Sequence, residues 1–116
     1  MMDATPHFLS GVFDFQGRGL GHLAELDPAL AYTVPSDKRT QLIYLRVGNS
    51  LDELVYLVLT RNGAPMRYFP VGAKACIHVP LAVVEDLFPE TKLEILFAAP
   101  EGMAGTLVLD IGLMEI

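Results

Sequence analysis

Two side chains that can bind metals or react as nucleophiles stand two residues apart in the second half of the chain. Cys76 and His78 occupy alternate positions of residues 75–84, a segment with the period of two that is typical of a β-strand. Such a pair shares one strand face and suits a metal site, or a thiolate beside an imidazole. Zinc needs three or four ligands, and His7 and His22 lie far away in the sequence. Cys76 and His78 are therefore candidate ligands only, and we expect no bound metal or cofactor.

The carboxylate pairs do not have the spacing that acid–base catalysis requires. Asp52–Glu53 and Glu85–Asp86 are adjacent residues, which point to opposite faces of a strand. Glycoside hydrolysis needs two carboxylates that face each other across roughly 5 to 9 Å. The chain also lacks the Gly-x-Ser-x-Gly nucleophile elbow. We therefore predict a non-catalytic protein.

A set of polar residues within apolar surroundings is the candidate ligand site. Arg46 lies in a predicted strand between aliphatic residues, and an arginine in that setting either pairs with a carboxylate or marks a ligand site. Asp110, which also stands between two aliphatic residues, is the candidate carboxylate. Both interpretations stay open. The predicted ligand-binding residues are Arg46, Asn49, Arg67, Tyr68 and Asp110.

The elements that must position these residues are short strands. Asn62–Gly63 is a strong signal for a type I′ hairpin, because both residues tolerate positive φ. Pro65 and Pro70 restrict the second hairpin strand to a sheet edge or a bulge. Residues 81–88 fit either a strand or a helical stripe. The other predicted strands cover residues 8–15, 29–34, 40–47, 75–84, 91–98 and 105–116, with two hairpin strands between residues 54 and 69.

This spacing predicts an all-β, antiparallel β-sandwich of the jelly-roll kind. We expect about eight strands, at most one short helix, and a single domain over residues 1–116. A chain of this length can bury a core without disulfides, and it has one cysteine.

Composition excludes several partners. The net charge is −6 and no basic cluster exceeds two residues, which argues against nucleic-acid binding. No apolar run approaches the ~18 residues of a membrane-spanning helix, so no membrane is expected. The first residues lack the features of a signal peptide, which predicts a cytoplasmic protein.

The apolar content is high for one small domain, at 52% of residues, with a mean hydropathy of +0.40. Residues 42–47 and 54–59 are apolar on nearly every position of both strand faces, whereas a two-layer sandwich has one core. We expect the surplus to face another subunit, which predicts a homo-oligomer or a protein partner. The predicted interface residues are Val55, Leu57, Leu59, Ile43 and Leu45.

Four features resemble the jelly-roll sandwiches of carbohydrate-binding modules and galactose-binding-like domains. They are an arginine that ends a strand at residues 42–46, a strand that runs into Asn-Gly at residues 54–63, Val-Pro-Leu at residues 79–81 and Leu-Asp-Ile at residues 109–111. Together they span roughly residues 29–116. The resemblance implies the same fold and a possible sugar ligand.

Three functions follow in order of preference. The first is a non-catalytic sandwich that acts through self-assembly or by binding a protein partner. The second is a module for a small ligand or a carbohydrate. The third is an accessory subunit of an oxidoreductase.

Overall fold

The computed structural model describes residues 4–116, apart from the side chains of residues 82–84. Within this range the protein is all-β, with one short 3-10 turn at Pro28–Leu30, and it contains no helix long and apolar enough to cross a membrane. Residues 81–87 belong to a strand, which settles the choice between strand and helix up to Leu87. The strands are β1 (Thr5–Gln16), β2 (Ala24–Glu25), β3 (Tyr32–Thr33), β4 (Thr40–Asn49), β5 (Val55–Arg61), β6 (Ala64–Val71), β7 (Cys76–Leu87), β8 (Lys92–Ala98) and β9 (Ala104–Glu115).

Two antiparallel sheets form the sandwich. The four-stranded sheet has the order β1-β9-β4-β7, and the five-stranded sheet has the order β2-β8-β5-β6, with β3 also paired to β8. This is the strand order of a jelly roll. The short strands β2 and β3 pair with different residues of β8, so they share one position at the sheet edge. The predicted fold class is therefore confirmed, with nine strands in place of about eight.

The Asn62–Gly63 turn joins β5 to β6 as the sequence predicts. Both residues have positive φ, at 49° and 84°. Asn62 also exchanges two hydrogen bonds with the backbone of Lys92, which ties the turn to β8. A register shift lies between Leu59 and Thr60, where β6 carries Pro65, and β6 is an edge strand. The prolines therefore sit where an unpaired N–H costs least.

The core lies between the sheets and includes most of the residues that were predicted to form an interface. Val55, Leu57, Leu59 and Leu45 are fully buried in it. The interface prediction is corrected for these four, because their strand faces point toward the opposite sheet and are inaccessible to a second subunit.

A β-bulge in β4 decides which side chains reach the surface. Leu42 pairs with Leu113 and Tyr44 pairs with Gly112, so Ile43 has no partner on β9. The extra residue shifts the alternation by one position. Leu42 and Leu45 therefore both face the core, while Ile43 is 38% exposed. The strict alternation assumed from the sequence placed Ile43 and Leu45 on one face, and the bulge is the reason that this was wrong.

Candidate binding surface

The exposed face of the four-stranded sheet carries the candidate site, which we call the outer face. The strand registers align its side chains in three rows across β1, β9, β4 and β7. The central row is polar, and apolar or aromatic side chains dominate the flanking rows. The central row is Ser10, Asp110, Arg46 and His78; one flanking row is Phe8, Gly112, Tyr44 and Pro80; the other is Val12, Val108, Gly48 and Cys76.

Arg46 is the centre of the polar row. Its Nε donates a hydrogen bond to Nδ1 of His78 at 2.7 Å, and its Nη1 lies 3.8 Å from Oδ2 of Asp110. A guanidinium always donates, so Nδ1 of His78 is the acceptor of this hydrogen bond. The row therefore presents a negative and a positive group side by side.

Tyr44 holds this row in place from the neighbouring position on β4. Its hydroxyl donates to Oδ1 of Asp110 at 3.1 Å, and its ring is nearly parallel to His78, with centroids 5.8 Å apart. The Arg46 guanidinium lies 5.1 Å from the ring centroid. Removal from water raises the pKa of the Tyr44 phenol, and the hydrogen bond to Asp110 and its negative charge raise it further. Tyr44 therefore remains a hydrogen-bond donor at neutral pH.

A groove of about 610 Å³ crosses the outer face at Gly48. Because Gly48 has no side chain, the strand forms a floor between Cys76 on β7 and Val108 on β9. A Cβ added at Gly48 would lie 3.3 Å from Sγ of Cys76, so the floor is narrow. Arg46, His78 and Asp110 line one end of the groove. The groove thus combines an apolar floor with a polar rim that carries charges of both signs.

The five predicted ligand-binding residues do not form one site. Arg46 and Asp110 are neighbours on the outer face. Asn49 is buried, and its side chain bonds to the backbone of residues 51, 53 and 72, which makes it a brace for the loop after β4. Arg67 and Tyr68 lie on β6, in the other sheet.

Arg67 and Tyr68 also differ from each other. The Arg67 guanidinium lies 5.6 Å from the Phe69 ring centroid and 3.8 Å from Glu85, which links the two sheets. Tyr68 is exposed on the opposite face of β6. The sequence could not separate these residues from Arg46, because the sheet to which the hairpin belongs depends on long-range pairing.

Cys76 and His78 share the outer face, as their spacing predicted. Within residues 4–116, apart from the side chains of residues 82–84, no three His, Cys, Asp or Glu side chains are close enough to hold a metal ion. His7 packs on Tyr32 on the inner side of the sheet.

Three apolar residues of the outer face were not among the predicted site residues. Phe8 and Val12 on β1 are 56% and 68% exposed, and Val108 on β9 is 51% exposed. The signal was present in residues 8–15, where apolar residues occupy both faces of a predicted strand.

No family model and no characterised protein matches this sequence. Solved structures do share its fold. Two structures of infectious bursal disease virus, from the Gt and Gx strains, match 97% of this chain with TM-scores of 0.52 and 0.53 at 15% and 14% identity. This chain spans about a third of the length of those viral chains (32%). The CBM36-1 domain of a xylanase from the hindgut metagenome of Trinervitermes trinervoides matches 90% of this chain, over 95% of its own length, with a TM-score of 0.48 at 12% identity. At these identities the likeness concerns the fold alone.

Proposed function

We propose that this protein is a non-catalytic β-sandwich that acts by self-assembly, and that its outer face binds the outer face of a second copy. The observation that carries the proposal is the composition of that face. Large exposed apolar side chains, Phe8, Val12 and Val108, surround a row in which Asp110 and Arg46 stand side by side. A face that is apolar and carries both charges can be its own complement.

The strand order supplies a specific arrangement. A two-fold axis that runs along the strands, midway between β9 and β4, places β9 of each copy over β4 of the other. Arg46 then faces Asp110 of the second copy, and the same contact occurs twice. Val108 faces Gly48 of the second copy and can enter the groove there. Sheets that pack in this way keep their strands within about 30° of each other.

The size of the outer face is adequate for a stable pair. Four strands about 4.8 Å apart and about 11 residues long, at about 3.3 Å per residue, cover on the order of 700 Å². A typical specific interface buries about 800 Å² on each partner.

The pairing of β1 with β9, near the two ends of the described chain, supports the view that residues 1–116 act as one domain.

Charge exchange between the copies gives the sharpest test. We expect the unmodified protein to associate through this face at tens of micromolar, as measured by light scattering after size exclusion. Arg46→Asp alone leaves two facing carboxylates on each side of the axis, and Asp110→Arg alone leaves two facing guanidinium groups. Each single variant should therefore lose the face-to-face contact and have a smaller mass than the unmodified protein, because like charges at an interface repel.

Mixing the two single variants restores opposite charges at both contacts. An equimolar mixture should regain the mass of the unmodified protein, whereas Tyr68→Ser, on the other sheet, should leave that mass unchanged. Two results would overturn the proposal: a monomeric unmodified protein, or a mixture of the two variants that is no larger than either variant alone while both remain folded by circular dichroism.

A second candidate is a module for a small ligand or carbohydrate. The groove favours it, because about 610 Å³ lies within the range of ligand pockets, roughly 300 to 1,000 Å³, and Arg46 and His78 offer hydrogen-bond donors at its rim. A melting-temperature screen with oligosaccharides and small carboxylates tests it. Gly48→Val fills the floor of the groove and should abolish any shift, with Tyr68→Ser as the control.

A further inference from the structure

We infer that the free edge of β1 is a second assembly site, at which β1 of another copy adds antiparallel and creates a continuous eight-stranded sheet. This site uses backbone groups, whereas the face-to-face pairing proposed above uses side chains. The occupant is a second copy of this chain, and the inference extends the proposed self-assembly to a different surface.

The hydrogen bonds of β9 show which backbone groups of β1 are free. Ile116 and Arg39 exchange backbone hydrogen bonds at 3.0 and 2.7 Å, and Ser50 N donates to Thr106 O at 3.1 Å. Even-numbered residues of β9 therefore bond toward β4, and odd-numbered residues bond toward β1. Gly17 N donates to Met103 O at 2.7 Å, so the bond just beyond β1 also joins two odd-numbered residues.

The free groups of β1 follow from its register. β1 pairs with β9 without a shift from Thr5 to Gln16, and odd residues pair with odd residues. The backbone groups of the even residues must then point away from the sheet. Those residues include Phe8, Ser10, Val12 and Asp14, and all four are exposed. Within residues 4–116, β9 is the strand to which β1 is paired, and its other side is open.

The remaining sheet edges are protected and β1 is not. β6 carries Pro65 and Pro70, and β7 carries Pro80 beside a break in its pairing with β4. The edge strands β2 and β3 have two residues each. Proline, short strands and irregular pairing are the usual means of preventing edge-to-edge contacts. β1 is 12 residues long, contains no lysine or arginine, and has its one proline at the second position.

The side chains favour one register, in which the two-fold axis passes between the two Ser10 residues. Phe8 then stands beside Val12 of the other copy, and an aromatic residue beside a β-branched one is a favourable cross-strand pair. The N–H of Asp14 faces the carbonyl of Pro6 in the other copy. Because proline has no N–H, one hydrogen bond is lost at each end of the paired edges. The two edges would share about eight backbone hydrogen bonds. A shift of two residues would set Phe8 beside Asp14.

The test removes the backbone N–H of Ser10, which points away from the sheet. Ser10→Pro removes a hydrogen-bond donor at the free edge and no bond to β9, whereas Ser10→Ala keeps the donor and is the matched control. Four proteins are compared by analytical ultracentrifugation: the unmodified protein, Ser10→Pro, Asp110→Arg and the double variant. We expect the unmodified protein to form species larger than a dimer, each single variant to form dimers, and the double variant to be monomeric.

The outcomes separate this inference from the proposed function. If Asp110→Arg is monomeric, or if Ser10→Pro assembles like the unmodified protein, the edge site is overturned. If Asp110→Arg leaves the assembly unchanged while Ser10→Pro abolishes it, the edge stands and the face-to-face pairing fails. Residue-resolved amide exchange on the Asp110→Arg protein needs no proline variant. Protection of the Phe8, Ser10 and Val12 amides that appears with rising protein concentration is expected, and equal exchange at all concentrations refutes the edge site.

Discussion

Substitution of Gly112 by alanine is a direct test of the geometry that holds the polar row together. The Tyr44 ring lies on the backbone of Gly112 so closely that an added Cβ would be 2.0 Å from Cε2 and 2.6 Å from Cδ2. Ordinary van der Waals contact begins at 3.4 Å, so the ring must move by about 1.4 Å or turn to another rotamer. The backbone φ of Gly112 is not positive, and alanine is therefore compatible with the strand itself.

The expected cost follows from the contacts that the displaced ring loses. The hydrogen bond from Tyr44 to Asp110, at 3.1 Å, contributes about 1 kcal/mol. The parallel contact with His78 contributes about 0.5 kcal/mol at a partly exposed site. Alanine also reduces the entropy of the unfolded chain, which offsets about 0.4 to 1 kcal/mol. We expect Gly112→Ala to lower the free energy of unfolding by about 1 kcal/mol.

Urea unfolding measures this change, and a double-mutant cycle identifies its origin. Tyr44→Phe removes the hydroxyl, so Gly112→Ala should cost about 1 kcal/mol less in that background. Gly21→Ala is the control, because no heavy atom lies within 4 Å of its added Cβ. If Gly112→Ala is as mild as Gly21→Ala, or if the cycle shows no coupling with Tyr44, the ring does not lie where the structure places it.

Three further changes test the fold around this site. Asn49→Ala removes the hydrogen bonds to the carbonyls of Glu53 and Gly72 and leaves the buried N–H of Leu51 without its acceptor, so it should cost about 2 kcal/mol in urea unfolding, whereas a cost near zero contradicts the bracing role. Leu57→Ala removes a fully buried core side chain and should cost about 2 to 5 kcal/mol in the same assay; a cost below 1 kcal/mol would mean that Leu57 is not a core residue. Burial and then the hydrogen bond to Glu115 raise the pKa of Tyr32 from 10.0 to about 12, so the folded state holds this proton more tightly than the unfolded state. That stabilisation is complete below pH 10 and is lost as the pH rises through 12, by roughly 3 kcal/mol, and Tyr32→Phe should show a weaker alkaline loss.

Local chemistry in the sequence predicted the fold well. The Asn62–Gly63 turn, the edge position of β6 and the period of two in β7 each depend on a few neighbouring residues, and all three are present. It was harder to predict which face of β5 points into the core, because Val58 on one face is as buried as Leu57 on the other. Val58 lies between Tyr68 and Leu96 on the adjacent strands, and such cover is not visible in β5 alone.

The candidate site was predicted in part for the same reason. Arg46 and Asp110 stand opposite each other because β4 pairs with β9, and the apolar flanks of both residues already predicted a shared environment. Arg67 was predicted to belong with them, but it lies in the other sheet. The chain crosses from one sheet to the other between β4 and β5, so the order of these strands in the sequence does not show which residues share a face.

The bulge at Ile43 allows a last prediction, which compares a single-residue deletion inside the bulge with one in the regular part of β4. Because Ile43 has no partner on β9, its deletion joins Leu42, which faces the core, directly to Tyr44, which faces outward, and restores regular alternation. Deletion of Ile43 should therefore leave a folded protein with the outer face intact. Arg46 is also exposed but lies in the regular part of β4. Its deletion must turn the residues on one side of it to the opposite face of the sheet, which buries polar groups. Circular dichroism and thermal unfolding of the two deletions should show a cooperative transition for the first and none for the second. If both deletions unfold the protein, the bulge is required for folding itself, and the reasoning that assigns it only the orientation of Tyr44 and Arg46 fails.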